Sequence, residues 1–232
     1  MKRDGRKIVG VVAWDYQIAQ IADRAGVDII SVGDSVGANL WGQPTETEVT
    51  MEEMLVVCKA VRRGVKRALV SCDLPPGPVQ EGVAASVSAA MRLVKEGGAD
   101  MVKVHGVPDT VRAMVRAGVP VFAEFHGEQA PVEQLVEEAK RLENAGASLL
   151  DFRHSGPVAG AAVVKAVSIP VIGGLGGGPW LDGRVRLAHT AIGYGAKWID
   201  SKTETYVNTA KLSLEAFTAL CADVRAGRQI KG

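Results

Sequence analysis

The 232-residue chain is 47% hydrophobic, 23% charged and 5% aromatic, which is typical of one or two globular domains. A net charge of +1 predicts neither nucleic acid nor an anionic membrane surface as partner. No segment approaches the roughly 18 apolar residues of a membrane span. The apolar run after the basic start is too short for a signal peptide. Three unevenly spaced cysteines without metal-ligand spacing favour a reduced, cytoplasmic compartment.

Short apolar runs alternate with amphipathic stretches along the whole chain. The runs predict eight strands, at residues 7–13, 27–33, 67–72, 100–105, 119–125, 148–153, 169–174 and 196–201. Among the predicted helices, residues 131–146 carry one apolar stripe and end in Asn-Ala-Gly, a helix stop. A last helix is expected from near Thr205 towards Arg225, packed outside the barrel or against a neighbour.

Eight strands that alternate with helices over this length predict a single (β/α)₈ TIM barrel, a fold of typically about 250 residues. The alternative is a doubly wound open sheet. Its first strand-to-helix turn should carry a glycine-rich phosphate loop, and "AWDYQ" has none. No linker or low-complexity segment divides the chain, so residues 1–232 are expected to form one domain.

Polar side chains follow five consecutive predicted strands, where the active site of a TIM barrel lies. Side chains alternate along a strand, so charged residues two apart share a face opposite their apolar neighbours. This pattern predicts a lined pocket, although strands that emerge into solvent also end in polar residues. The residues are Asp34, Ser35, Asp73, Lys103, His105, Glu124, His126, Asp151, Arg153 and His154.

Two aspartates of adjacent strands, Asp34 and Asp73, would repel unless a cation lies between them. Carboxylate oxygens suit Mg²⁺ or Mn²⁺. The alternative is that both cap the following helices or pair with Lys103. The glycine-rich segment "IGGLGGGPWLDG" after the seventh strand fits either a phosphate site or a tight turn that passes close to the substrate or the barrel wall.

Four stretches resemble the ketopantoate hydroxymethyltransferase (PanB) family of the phosphoenolpyruvate mutase/isocitrate lyase superfamily. They are "AWDYQIAQIADRAGVDIISVGDSVG", "TMEEMLVVCKAVRRGVKRALVSCDLPPG", "GGADMVKVHG" and "SIPVIGGLGGGPWLDGRVRLAH", in the family's order and spacing. The resemblance implies that Mg²⁺ chelates a 2-oxo acid whose enolate attacks a one-carbon unit from methylenetetrahydrofolate. It implies Asp34 and Asp73 as metal ligands, Ser35 on the substrate carboxylate, Lys103 near the oxyanion, and a homo-oligomer.

The chain departs from that family at three strand ends. The family's Lys-x-Glu is Lys103-x-His105, and its "GH(I/L)GLTPQ" is replaced by "AEFHGEQAP". Its general-base glutamate aligns with Arg153, which stays protonated and cannot be a base. Proton transfer would then fall to Glu124, His126 or His154. If His105 reaches the metal, Mn²⁺, Fe²⁺, Co²⁺ or Zn²⁺ also fit; alternatively His105 is only hydrogen-bonded nearby.

The sequence therefore predicts a metal-dependent carbon–carbon bond enzyme of the aldolase, lyase or hydroxymethyltransferase type, divergent from the family's own activity. Its substrate would be a small anionic 2-oxo acid or related carbonyl compound. One alternative is a C–C hydrolase or decarboxylase in which Arg153 binds a second substrate carboxylate. The family's own folate-dependent reaction and a non-catalytic binding subunit are the others.

Overall fold

Eight parallel strands pair in chain order and close into a barrel in the computed structural model, which describes residues 1–45, 48–127 and 130–230. Residues 128 and 129 of "AEFHGEQAP" lie outside these ranges. The strands are β1 Ile8–Val12, β2 Ile29–Val32, β3 Leu69–Asp73, β4 Met101–His105, β5 Val121–His126, β6 Leu149–Arg153, β7 Val171–Gly173 and β8 Gly183–Leu187. The predicted barrel is confirmed, and an open sheet is excluded.

Helices follow the strands, as a (β/α)₈ barrel requires. They are α1 Tyr16–Arg24, α2 Met51–Gly64, α3 Pro76–Gln80, α4 Val83–Lys95, α5 Pro108–Arg116, α6 Val132–Asn144, α7 Pro157–Ala166, α8 Ala188–Ala191 and α9 Thr209–Arg225. The predicted helix at residues 131–146 is thus confirmed as α6. Side chains cap three of the starts: Asp15 accepts a hydrogen bond from the Ile18 amide, Thr50 with Glu53 forms a capping box, and Asn208 accepts from the Lys211 amide.

The eighth strand was predicted at the wrong place. Residues 196–201 contain a 3₁₀ turn, Ala196–Trp198, and the strand is Gly183–Leu187 instead. Two of the five residues of this strand are arginines, so it lacks the apolar run by which the other strands were predicted. The glycine-rich stretch before it is typical of a loop. At Gly183 an added Cβ would collide with the Ile8 backbone, so only glycine allows β8 to approach β1 this closely.

The barrel interior below the site is mostly apolar, with one hydrogen bond of 2.7 Å from the Ser71 hydroxyl to that of Ser31. Seven strands contribute to one cluster, which consists of Ile8, Ile29, Met101, Phe122, Leu149, Ile172 and Val185. Met101, Phe122 and Leu149 lie two residues before Lys103, Glu124 and Asp151, so the strand alternation puts these charged groups above the cluster.

The opposite faces of the same strands pack under the helices. Val102, Val104, Phe125 and Phe152 are buried, in agreement with the predicted alternation. The rings of Phe125 and Phe152 stack with centroids 4.3 Å apart and an interplanar angle of 6°.

Contacts divide the chain into two compact units, Met1–Val185 and Arg186–Gly232. A single domain over residues 1–232 stays a prediction. In the second unit, α9 buries only Ala210. It exposes an apolar face of Leu214, Phe217, Leu220 and Val224, and Leu212 is exposed on another side of the helix. None of the helices in the described ranges is long and apolar enough to span a membrane.

Candidate active site

Asp34 and Asp73 line a cavity of ≈ 300 Å³ at the carboxyl ends of the strands. Lys103, His105 and Glu124 line it too. This volume lies at the small end of the range for ligand-binding pockets. The wall is completed by Leu74, Pro76, Val79, Gln80 and Val104. Five of the residues singled out in the sequence therefore share one cavity.

Asp73 carries an unsatisfied carboxylate oxygen. Its Oδ1 atom is buried and finds no hydrogen-bond partner among the described residues. Burial raises the pKa of Asp73 to about 7; Lys103 opposes this rise, whereas Asp34 adds to it. A buried anionic oxygen without a donor is costly. The donor set therefore fits a divalent cation, which would compensate both aspartates.

Lys103 is the central cation of the site. Its Nζ lies 2.5 Å from Oε2 of Glu124 and 3.0 Å from Oδ2 of Asp151. Burial alone would favour the neutral amine, but Asp73, Asp151 and Glu124 outweigh it and hold the pKa of Lys103 above its usual value. The ammonium group therefore stays charged at the base of the cavity.

Glu124 connects Lys103 to two further groups of the strand ends. Its Oε1 atom accepts a hydrogen bond from Arg153 Nη1 at 3.0 Å and lies 3.1 Å from His126 Nε2. Burial opposes ionisation, but Lys103 and Arg153 prevail and lower the pKa of Glu124 to about 2. Glu124 is therefore an ionised carboxylate and a weak base.

Three imidazoles stand in a row at the ends of β4, β5 and β6. The ring centroids of His105 and His126 are 6.0 Å apart, and those of His126 and His154 are 6.4 Å apart. His154 is the one non-glycine residue with positive φ (52°) in the described ranges, a conformation often found at functional sites.

The row contains a set of candidate metal ligands. One donor atom each of His105, Glu124 and His126 lies within 4.8 Å of the other two. Ser35 is half-buried next to Asp34 and is absent from the described cavity lining. A joint site of Asp34, Asp73 and His105 stays a prediction.

The sequence places Asp151 at a strand end but predicts no role for it. Only 4% of its side chain is exposed; Oδ2 pairs with Lys103, and Oδ1 accepts a hydrogen bond from the Gly174 amide at 3.1 Å. The sequence feature that could have revealed its role is the spacing in "DFR": Asp151 lies two residues before Arg153, so both side chains are on the same face of β6. Two other cavity residues, Val79 and Gln80, come from the short helix α3, and nothing in their sequence pattern marked them.

The glycine-rich segment after β7 lies against the end of β6. The His154 amide donates a hydrogen bond to the Leu175 carbonyl oxygen at 2.7 Å. A Cβ at Gly176, whose φ is 68°, would lie 2.8 Å from the His154 Cα. This is the close approach that the tight-turn interpretation predicted; a phosphate site here stays a prediction.

The family model of ketopantoate hydroxymethyltransferase matches residues 1–229. The chain belongs to this family. A 3-methyl-2-oxobutanoate hydroxymethyltransferase of Rippkaea orientalis is 36% identical in an alignment of 245 positions that covers 97% of this chain and 95% of the relative. The resemblance that the sequence motifs carried is therefore confirmed.

Solved structures of the phosphoenolpyruvate mutase/isocitrate lyase superfamily share the family's barrel. A 2,3-dimethylmalate lyase of this superfamily has a TM-score of 0.62 at 15% identity, covering 97% of this chain and 83% of its own. A phosphonopyruvate hydrolase in complex with oxalate and Mg²⁺ has a TM-score of 0.67 at 15% identity, covering 97% and 85%. At these identities the likeness shows the fold alone.

Proposed function

We propose that this protein is a metal-dependent enzyme that makes or breaks a carbon–carbon bond beside the carbonyl group of a 2-oxo acid or related compound. The observation that carries this proposal is the charged Lys103 at the base of a cavity lined by Asp34 and Asp73. An enolate needs fixed positive charge where its oxygen develops negative charge, and a buried ammonium group provides it.

The metal-binding residues would be Asp34 and Asp73, with Mg²⁺ as the first candidate. The orphaned Oδ1 of Asp73 supports this assignment. A phosphonopyruvate hydrolase of the same fold holds Mg²⁺ with oxalate. A divalent ion there would polarise the substrate carbonyl oxygen as a Lewis acid. The resemblance to the family implies Ser35, beside Asp34, on the substrate carboxylate, and Ser35 itself does not line the cavity.

Arg153 would bind an anionic group of the substrate. Its side chain is 29% exposed, and Nη1 already holds one carboxylate, that of Glu124. The planar guanidinium is matched to two-point recognition of a carboxylate. The motif resemblance aligns Arg153 with the family's general-base glutamate, and a guanidinium, which stays protonated, cannot take over the base's role.

Proton transfer falls to an imidazole in this proposal. Glu124, with its pKa lowered to about 2, holds too few protons near neutral pH for efficient acid–base catalysis. His126 and His154 stand in the row at the strand ends, and imidazole is the side chain suited to exchange protons near pH 7.

The second candidate is the relatives' own activity, hydroxymethylation of 3-methyl-2-oxobutanoate with methylenetetrahydrofolate. Identity of 36% across nearly the whole chain favours it. The absence of the family's glutamate at Arg153 argues against an efficient reaction. Arg153 equally supports a hydrolase or decarboxylase acting on a dicarboxylate.

The deciding experiment is a turnover screen of 2-oxo acids, with and without methylenetetrahydrofolate, on the full-length protein. Chelator-stripped protein and protein reloaded with Mg²⁺, Mn²⁺, Co²⁺ or Zn²⁺ are compared. Metal-dependent cleavage or formation of a carbon–carbon bond is expected. A protein that binds oxo acids but turns none over would instead be a binding subunit.

We also propose a homo-oligomer. The exposed apolar face of α9 has side chains such as Phe217 and Val224 at 65% and 59% exposure. Contiguous apolar surface of this kind is typical of interfaces. Light scattering coupled to size-exclusion chromatography tests this, and a monomer at micromolar concentration would contradict it.

A further inference from the structure

The register of β4, β5 and β6 builds a second cluster of metal-ligating atoms at the cavity mouth. His105 pairs with Glu124 across β4 and β5, and His126 lies two residues after Glu124 on the same face. The donor atoms of these three residues all lie within 4.8 Å of one another. The cluster is therefore a consequence of strand pairing.

We propose that His105, Glu124 and His126 bind a first-row transition-metal ion, at a site separate from that of Asp34 and Asp73. Two imidazoles and one carboxylate suit Zn²⁺, Co²⁺ or Fe²⁺, whereas Mg²⁺ prefers oxygen ligands alone. The inference goes beyond the proposed function, since it requires no particular substrate or reaction.

The donor atoms of the three residues are already close to the spacing that a bound metal ion requires. Metal–ligand bonds of about 2.1 Å in a tetrahedral site set the donor atoms about 3.4 Å apart. Glu124 Oε1 and His126 Nε2 are already 3.1 Å apart. Since no pair exceeds 4.8 Å, the closure still required of His105 is at most about 1.4 Å, within the reach of a side-chain rotation.

Lys103 separates the two sites. It lies on β4, where it pairs with Asp73 of β3 in the strand register, and its ammonium group contacts Oε2 of Glu124 on β5. The lysine therefore lies between the carboxylates of the two sites. A single ion shared by them would have to approach this buried cation, which is unfavourable.

The cluster is accessible and would leave coordination positions open. His105 is exposed, and 40% of the His126 side chain is exposed. Three protein ligands leave a place for water or a substrate oxygen, as catalytic zinc sites do.

Arg153 would compete with a metal ion for the carboxylate of Glu124. Its Nη1 donates to the same Oε1 of Glu124 that lies near His126. An ion at Oε1 would repel the guanidinium and release it from the carboxylate. Removing the positive charge of Arg153 should therefore strengthen metal binding, an effect that no purely structural role of the cluster predicts.

The test is titration of the chelator-stripped, full-length protein with Zn²⁺ in competition with a chromophoric chelator. The Co²⁺ absorption spectrum would report the coordination. A Cys221→Ser background removes the exposed thiol, a competing zinc ligand. We expect one site whose affinity falls at least tenfold in His105→Gln and in His126→Gln. In Arg153→Gln the affinity should rise at least threefold.

Matched variants separate this site from the first one. Asp73→Asn should leave Zn²⁺ affinity within twofold, and excess Mg²⁺ should not displace Zn²⁺. Melting curves check that each variant is folded. Unchanged affinity in both histidine variants, or loss of binding in Asp73→Asn, would overturn the proposal. A metal-bound His126 leaves His154, next to it in the row, as the imidazole for proton transfer. Oxo-acid turnover is measured separately, so loss of zinc binding does not by itself contradict the proposed function.

Discussion

Arg153 Nη1 lies 3.0 Å from Oε1 of Glu124, the same carboxylate whose Oε2 contacts Lys103. Glu124 on β5 is thus ion-paired with both Lys103 on β4 and Arg153 on β6. A substrate carboxylate that reaches Arg153 would share or replace this contact. The pair therefore links the charge of the substrate to the geometry around Lys103.

Arg153→Lys should weaken the binding of an anionic substrate. Lysine keeps the charge but loses the planar fork, so the Michaelis constant should rise on the order of tenfold with a smaller change in turnover. The matched control is Arg112→Lys, at an exposed pair with Asp109. Equal kinetics in both variants would remove Arg153 from substrate recognition.

Lys103→Met should abolish most of the activity and destabilise the protein. The loss would be about 10²–10³-fold if the ammonium stabilises an oxyanion. The change also leaves Glu124 and Asp151 without their shared cation, and breaking such a buried pair typically costs about 3–5 kcal/mol. Steady-state kinetics and urea denaturation measure the two effects. Lys140→Met, at an exposed pair with Glu137, should change neither.

Metal-free protein should lose stability as the pH rises from about 4 to about 7. The folded pKa of Asp73 is about 7 against an ordinary value of 3.8, so the folded state retains a proton that the unfolded chain releases. Glu124, with its pKa lowered to about 2, loses its contribution only below this window. Melting temperatures in chelator across this range should slope downwards, and Asp73→Asn should flatten the slope.

Added metal should reverse that loss, because binding to the native state alone raises stability by mass action. Mg²⁺ should raise the wild-type melting temperature most above pH 7, where Asp73 is ionised, and should not do so in Asp73→Ala. If Mg²⁺, Mn²⁺, Co²⁺ and Zn²⁺ all leave the wild type unchanged, neither metal site exists.

Conversion of 3-methyl-2-oxobutanoate with methylenetetrahydrofolate should be slow. General-base help is typically worth about 10²–10⁴ in rate, and Arg153 cannot give it. Product formation is measured with metal-loaded protein and a genuine relative as positive control. A turnover number on the order of 1–10³ s⁻¹ would restore the family's activity to this chain.

Local patterns predicted seven strands because each is an apolar run bounded by turn residues. The eighth escaped because its fit depends on a distant approach, that of Gly183 to Ile8. The alternation of side chains along a strand likewise predicted that Lys103, Glu124 and Arg153 lie on the inner face of their strands. Which carboxylate pairs with which cation could not be read from the sequence, since it depends on register: Glu124 lies between His105 and Asp151 in the strand pairing.

The stacked rings of Phe125 and Phe152 lie on the outer face of β5 and β6, opposite the face that carries Glu124 and Arg153. Each phenylalanine directly follows or precedes a charged residue of the site: Glu124 on one strand, Arg153 on the other. A change in ring size under the helices would shift the two backbones and alter the spacing of that ion pair. The spacing of charged groups at the site can therefore change through buried residues on the outer face of the strands, with every cavity-lining residue unchanged.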